Sequence, residues 1–251
     1  MKALITGASS GIGREFAKIL SDNKYDLIVV SRNKKELLNL KKELSTDVEV
    51  VNMDLSSNDN CYKLYDMFKE EAIDIVINNA GFGIFGDFFN TSLTKELELI
   101  NLNIEAVHIL TKLFYKKFKK ENKGYILNVA SSTAFQPGPL MATYYASKSY
   151  VYNLTSAIAE EIRRENSKVR ISVLCPGPVA TNFNNVAGVE FGIKPLSSQY
   201  VAKYALKKLF KNKTVIIPGL TIKLAYIFGR LVPRKLLLKI TYNIQRKKVI
   251  K

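Results

Sequence analysis

A chain of 251 residues, 47% of them hydrophobic, with 13 glycines and 7 prolines, is long enough to bury one large core and falls in the size range of a single α/β domain. Cys61 and Cys175 sit in segments that read as helix and buried strand, so no disulfide framework is expected, and no Cys/His cluster has metal-ligand spacing. The net charge is +16, yet residues 191–251 hold fifteen Lys/Arg and no Asp or Glu, which places +15 of it at the C-terminal end. That asymmetry marks an anionic partner or, more simply, a lysine-rich solvated face.

Met1 runs directly into "KALITGASSGIG" without a signal-peptide core. The apolar run "GLTIKLAYIFGRLV" is too short and too charged to span a bilayer, so a soluble cytoplasmic protein is expected. In chain order "KALIT", "REFAKILSDN", "DLIVV", "KKELLNLKKEL" and "VEVVNM" alternate strand and helix, which predicts βαβ units and a doubly wound parallel sheet with helices on both faces. "IDIVIN", "GYILNVA", "VRISVLC" and "TVIIP" bring the expected strands to seven, with helices near 95–119, 143–165 and 197–210 between them. The domain proper is expected over 1–218, with 219–251 as a basic extension of two amphipathic helices broken at Pro233.

Between the first strand and the first helix, "TGASSGIG" places Gly7, Gly11 and Gly13 in the turn. Glycine there lets backbone approach a pyrophosphate, and the helix N-terminus favours the anion. After the second strand "DLIVVSRN" puts Arg32 where a ribose 2′-phosphate would need a cation, and Arg14 follows the glycine loop. Both favour NADP over NAD. Asp54 ends the third strand, where it could meet the adenine or cap the helix starting near Ser57.

In "YYASK", Tyr144 and Lys148 lie four apart and Tyr145 and Lys148 three apart, so helix geometry lets either phenol share a face with the ammonium. A nearby ammonium lowers a phenol pKa toward acid–base use near neutrality. Ser131 ends the strand "GYILNVAS", where open α/β sheets place their crevice, and its hydroxyl is placed to bond a substrate oxygen; Ser132 is the fallback.

Together "TGASSGIG", "NNAG" at 78–81, the serine after the fifth strand, "YYASK" and "PGPVAT" at 176–181 resemble the motifs of the short-chain dehydrogenase/reductase family, in order, over roughly residues 1–218. The resemblance implies an NADP-preferring member of carbonyl reductase or hydroxysteroid dehydrogenase type. It selects Tyr144 as proton donor, Lys148 as the group that lowers its pKa and holds the nicotinamide ribose, and Ser131 to orient the substrate oxygen. Asn103 would hold a water-linked proton path behind the lysine, with Asn101 as the competitor. The implied cofactor-lining residues are Gly7, Ser9, Ser10, Gly11, Ile12, Gly13, Arg32, Asp54, Leu55, Asn78, Ala80, Gly81, Tyr144, Lys148, Pro176, Gly177, Val179 and Thr181. The family's habits also imply a homodimer or homotetramer.

The stretch 177–194 is long for a connector and reads as a lid, with Phe183, Val186, Val189 and Phe191 beneath it and Gly188 and Gly192 as hinges. "GFGIFGDFF" at 81–89 forms the opposite wall. The expected substrate is therefore an apolar ketone, aldehyde or secondary alcohol. His108 reads as a packing or surface residue. Two other readings stand beside the enzyme. One is a non-catalytic dinucleotide sensor or scaffold docked on an anionic surface, and the other an enzyme whose tail helices lie on an anionic membrane, against a tail that folds over the substrate pocket or a subunit interface and leaves its cations in water. Nucleic acid is the least favoured partner, since the tail has no groove-reading motif.

Overall fold

The computed structural model describes residues 1–181, 183, 195–229 and 231–247. Strands β1 (Lys2–Thr6), β2 (Asp26–Ser31) and β3 (Val48–Asn52) alternate with helices α1 (Gly11–Asp22), α2 (Lys34–Glu43) and α3 (Asn58–Phe68). Then come β4 (Ile75–Asn78), α4 (Leu93–Ile100), a π-helical turn at Asn101–Ala106, α5 (Val107–Glu121), β5 (Tyr125–Val129), a 3-10 turn at Ser132–Phe135, α6 (Ala142–Arg164) and β6 (Arg170–Leu174). The chain continues through β7 (Val179–Ala180), β8 (Leu196–Ser197), α7 (Ser198–Leu209), β9 (Val215–Ile216), α8 (Leu220–Gly229) and α9 (Arg234–Arg246).

Seven strands pair in the order β3-β2-β1-β4-β5-β6-β9, all parallel, and β7 pairs with β8 in a separate two-stranded ribbon. Alternate residues of each strand serve opposite cores, which is why the strands read as unbroken apolar runs. Ile5, Val29, Ile77 and Leu127 pack with Phe16 and Leu20 of α1 and Leu206 of α7. Leu4, Ile28, Val76 and Ile126 pack with Phe114 and Phe118 of α5 and Ile162 of α6 on the other face. The chain reverses its direction of winding between β1 and β4, so the crevice above their C-terminal ends is the natural ligand site.

The expected helix near 95–119 is in fact two helices joined by the π turn, which carries Asn103. The two tail helices flank Pro233 as the sequence predicts, and Pro233 is the residue before α9. The lid residues Val186, Gly188, Val189, Phe191 and Gly192 lie outside the described residues. Cys61 and Cys175 are free and buried.

One polar cluster sits inside the sheet. Asn78 Nδ2 donates to Asn128 Oδ1 (2.8 Å) and Thr111 Oγ1 (3.2 Å), while Asn128 Nδ2 donates to Thr155 Oγ1 (2.9 Å). Asn128 thereby ties β4 to β5, α5 and α6. Replacing it by alanine orphans buried donors at a cost of about 1–3 kcal/mol each. Asn128→Ala is therefore expected to lower the urea midpoint of unfolding clearly, and an unchanged midpoint would deny the cluster its structural role.

Candidate active site

The C-terminal ends of β1, β4 and β5 open into a cavity of about 940 Å³. Its floor begins at the glycine turn. Gly7 and Gly11 have φ of +65° and +55°, conformations that favour glycine, and a Cβ on Gly7 would sit 2.9 Å from Ala80 Cα. Helix α1 begins at Gly11 with no acidic residue in its first turn, and the Ser10 side chain caps nothing, so the uncapped N–H groups suit an anion. Asn79 straps the turn down: its side chain donates to Thr6 O (3.0 Å) and Gly7 O (3.1 Å), and its N–H donates to Thr6 Oγ1 (2.9 Å).

Every residue singled out for the dinucleotide lines this cavity except Gly13, Asn78 and Arg14. A Cβ on Gly13 would lie 2.3 Å from Gly7 O, so that glycine permits close packing of α1 on the turn and does not face the ligand. Asn78 is spent in the cluster inside the sheet. Its neighbour Asn79, which the sequence reading passed over, lines the cavity in its place. Arg14 also turns away: it pairs with Glu43 and, at 3.9 Å, with Glu36 on α2, and lies outside the cavity lining.

Arg32 stays at the cavity, half-exposed, bonded to Glu98 at 2.8 Å and 3.7 Å from Asp54. Ser9 Oγ and Ser31 Oγ lie 2.8 Å apart beside it. Asp54 does not cap the following helix. Its Oδ1 accepts from the N–H (2.9 Å) and hydroxyl (2.8 Å) of Ser56. Burial pushes its carboxyl up, but those bonds and Arg32 outweigh burial and hold it below its ordinary value.

At the other end, Tyr144 and Lys148 rise from α6, both buried. Lys148 Nζ donates to Val129 O at 3.0 Å, the last carbonyl of β5, and lies 5.9 Å from the centre of the Tyr144 ring. Burial pushes Tyr144 up to about 12, opposed in part by the neighbouring Ser131 and Thr133. Burial also lowers Lys148 to about 8. Desolvation of the phenol is the largest effect on Tyr144 and runs opposite to the acidification expected from the ammonium. Tyr145 also lines the cavity, but its hydroxyl accepts a hydrogen bond from Gln245 of α9, and burial raises its pKa further still. Ser131 serves as cap of the 3-10 turn, accepting from Thr133 N–H (3.2 Å), whereas Ser132 donates its N–H to Pro176 O.

Asn103 does not line the cavity and, fully buried, acts as a brace. Its Nδ2 donates to Phe82 O (2.9 Å) and Ser147 Oγ (3.2 Å), and its Oδ1 accepts from Phe82 N–H (3.1 Å). Ser147 in turn donates to Tyr144 O (2.7 Å). A Cβ on Gly81 would meet Asn103 Oδ1 at 2.8 Å and Lys148 Nζ at 3.3 Å, so brace and ammonium meet across a glycine.

The wall beside the phenols is apolar: Leu99, Met141, Phe82, Ile84, Phe85 and Phe183 pack around Tyr144 and Tyr145, with the Phe183 ring 5.4 Å from that of Tyr144. The expected wall at 81–89 is thus half right, since Phe88 and Phe89 are 68% and 92% exposed. The tail closes the same end, with Ile222 of α8 and Ile244 and Lys247 of the α9 region lining the cavity, a contribution that helical periodicity alone could not locate. His108 bonds Tyr150 OH (2.7 Å) on the surface, as a packing residue would. Among the described residues no His/Cys/Asp/Glu group could hold a metal.

Residues 1–189 match the family profile described as short chain dehydrogenase. An uncharacterised oxidoreductase of Staphylococcus epidermidis is 30% identical over 227 residues, covering 88% of this chain and 96% of that protein. Mouse 17-beta-hydroxysteroid dehydrogenase type 3 is 32% identical over 189 residues, 71% of this chain and 60% of the mouse protein. The solved short-chain dehydrogenase of Sphingobium yanoikuyae, in complex with NADPH, is 27% identical with a TM-score of 0.82, covering 92% of this chain and 93% of that one. A short-chain dehydrogenase/reductase of Burkholderia phymatum, in complex with NAD, shares the fold at 23% identity and TM-score 0.81, covering 92% and 94%. On its own sequence and on its fold, the chain belongs to the short-chain dehydrogenase family and is an oxidoreductase of that family.

Proposed function

We propose that the protein transfers a hydride between NADP(H) and an apolar ketone, aldehyde or secondary alcohol, with Tyr144 moving the proton. The observation that carries this reading is the convergence of Tyr144, Ser131, Thr133 and Lys148 on the one cavity whose other end is the glycine turn. The nicotinamide, when bound, supplies or accepts the hydride. The Gly7–Gly11 turn and the start of α1 would hold the pyrophosphate, Asn79 and Gly81 keep the turn and the β4 loop open, and Thr181 would contact the nicotinamide end. Ser131 Oγ bonds the substrate oxygen, and Tyr144 Oη hands it a proton during reduction. The phenol, raised by burial, stays protonated across the working pH range, which suits it to donation. Phe82, Met141 and Phe183 exclude water and select apolar substrates. The mouse relative's name, a hydroxysteroid dehydrogenase, points to the same substrate class.

NADP(H) is favoured over NAD(H) by Arg32 with Ser9, Ser31 and Asn33 around the adenosine end, a set able to donate to a 2′-phosphate. Glu98 and Asp54 compete for Arg32, so binding a phosphate there requires the guanidinium to exchange partners. Self-association as a homodimer or homotetramer through α5 and α6 is proposed on family resemblance.

Three outcomes test this reading. Tyr144→Phe is expected to lower the rate of NADPH-dependent ketone reduction by about 10²–10⁴-fold while Tyr145→Phe keeps most of it, and the reverse pattern would reassign the donor. Lys148 is protonated below about 8 and loses its charge as pH rises through that value, whereas Tyr144 keeps its proton to about 12. Consequently kcat/KM for reduction should fall about tenfold per pH unit on the alkaline side, and a profile flat to about pH 10 removes Lys148 from the mechanism. Arg32→Ala should raise the KM for NADPH on the order of tenfold and leave that for NADH nearly unchanged, while a parent enzyme preferring NADH would overturn the cofactor choice.

A further inference from the structure

Helix α8, "LTIKLAYIFG", is among the most apolar in the molecule, and none of its residues is buried. Ile222 and Tyr226 lean on the body of the protein: Ile222 against Gly177, and Tyr226 with its ring 4.3 Å from that of Phe135 and its hydroxyl 3.1 Å from that of Tyr152. Leu220, Leu224, Ile227, Phe228 and Leu231 are 43–79% exposed. Helix α9 repeats the pattern. Thr241 and Gln245 point inward, to Gln136 and Tyr145, whereas Leu236, Ile240 and Ile244, spaced by four, form an outward stripe 42–55% exposed. Isolated exposed apolar residues need no explanation, but two successive helices that each present several do.

The charge of this segment is of one sign. Residues 219–251 contain nine Lys/Arg and no Asp or Glu. On a helical projection Lys235, Lys239 and Arg246 lie together along one side of the Leu236–Ile240–Ile244 stripe, so apolar and cationic residues share the face turned from the body, as in helices that lie in a bilayer interface. No helix among the described residues is long and apolar enough to cross a membrane. A second copy of the chain fits less well, because a two-fold contact would bring this cationic face against itself. Ile222, Ile244 and Lys247 belong both to these helices and to the mouth of the cavity.

We infer that the outer face of α8 and α9 docks on the surface of an anionic lipid bilayer, apolar residues entering the acyl boundary and cations meeting the headgroups. Where the redox reading above holds, this docking turns the apolar end of the cavity toward the lipid, so substrates reach it without crossing water. The docking itself does not depend on that reading and is tested without turnover.

The experiment is sedimentation of the full chain with phosphatidylcholine vesicles, with and without phosphatidylserine, at low and high salt. Phosphatidylserine is expected to increase bound protein about tenfold or more at low salt, and high salt to diminish that gain. Lys235→Glu with Lys239→Glu should remove the preference for phosphatidylserine. Leu224→Ser with Phe228→Ser should weaken binding to both vesicle types, and both variants should keep the parent's thermal transition. A parent that binds neither vesicle overturns the inference, as does undiminished binding by both variants. If Leu224→Ser with Phe228→Ser instead dissociates a dimer seen by light scattering in a parent that ignores vesicles, the face belongs to a second copy.

Discussion

A lysine ammonium held almost out of water governs the architecture of this site. Lys148 is 4% exposed, and its described hydrogen bond is to Val129 O, the terminal carbonyl of a central strand. A buried cation is costly unless its donors are used and its surroundings fixed, and here much of the surrounding structure serves that end. The long helix α6 delivers the side chain, Gly81 leaves room where a Cβ would crowd the nitrogen, and the π turn rotates Asn103 to brace the Phe82 backbone against Ser147. A regular α-helix through residues 101–106 would put Asn103 on a different bearing.

The same dehydration gives the two titrating groups opposite tendencies. The phenol becomes a weaker acid and the ammonium a stronger one, which brings their proton affinities further from their solution order on one side and leaves the lysine close to neutral pH on the other. In the proposed reaction Tyr144 would keep its proton until a substrate oxygen develops charge, with Ser131 and Thr133 beside the phenol favouring its ionised form. Tyr145, one residue on and equally buried, is withdrawn from that task by Gln245.

Much of this was legible in the chain. The βαβ alternation, the seven strands and the tail helices around Pro233 follow from periodicity and proline chemistry, which act locally. The glycine turn and the Tyr144–Lys148 spacing also predict residues that the fold brings to a single cavity. What periodicity hid depends on side-chain direction. Asn78 and Asn79 are adjacent in a strand end, so one must face into the sheet and the other out, and their order is set by register rather than by composition. Arg14 sits beside the phosphate-binding turn in sequence, yet its long side chain reaches the carboxylates of α2. The π turn has no sequence period of its own, and the sign of the Tyr144 shift depends on burial, which no spacing reveals.

The contact between Tyr145 and Gln245 spans 100 residues, and that between Gln136 and Thr241 spans 105. During synthesis the strands of the nucleotide half are complete well before α9 leaves the ribosome, so a nascent chain acquires the fingers of the site before its thumb. An unfinished molecule thus offers a cleft that still lacks the share of its lining contributed by Ile222, Ile244 and Lys247.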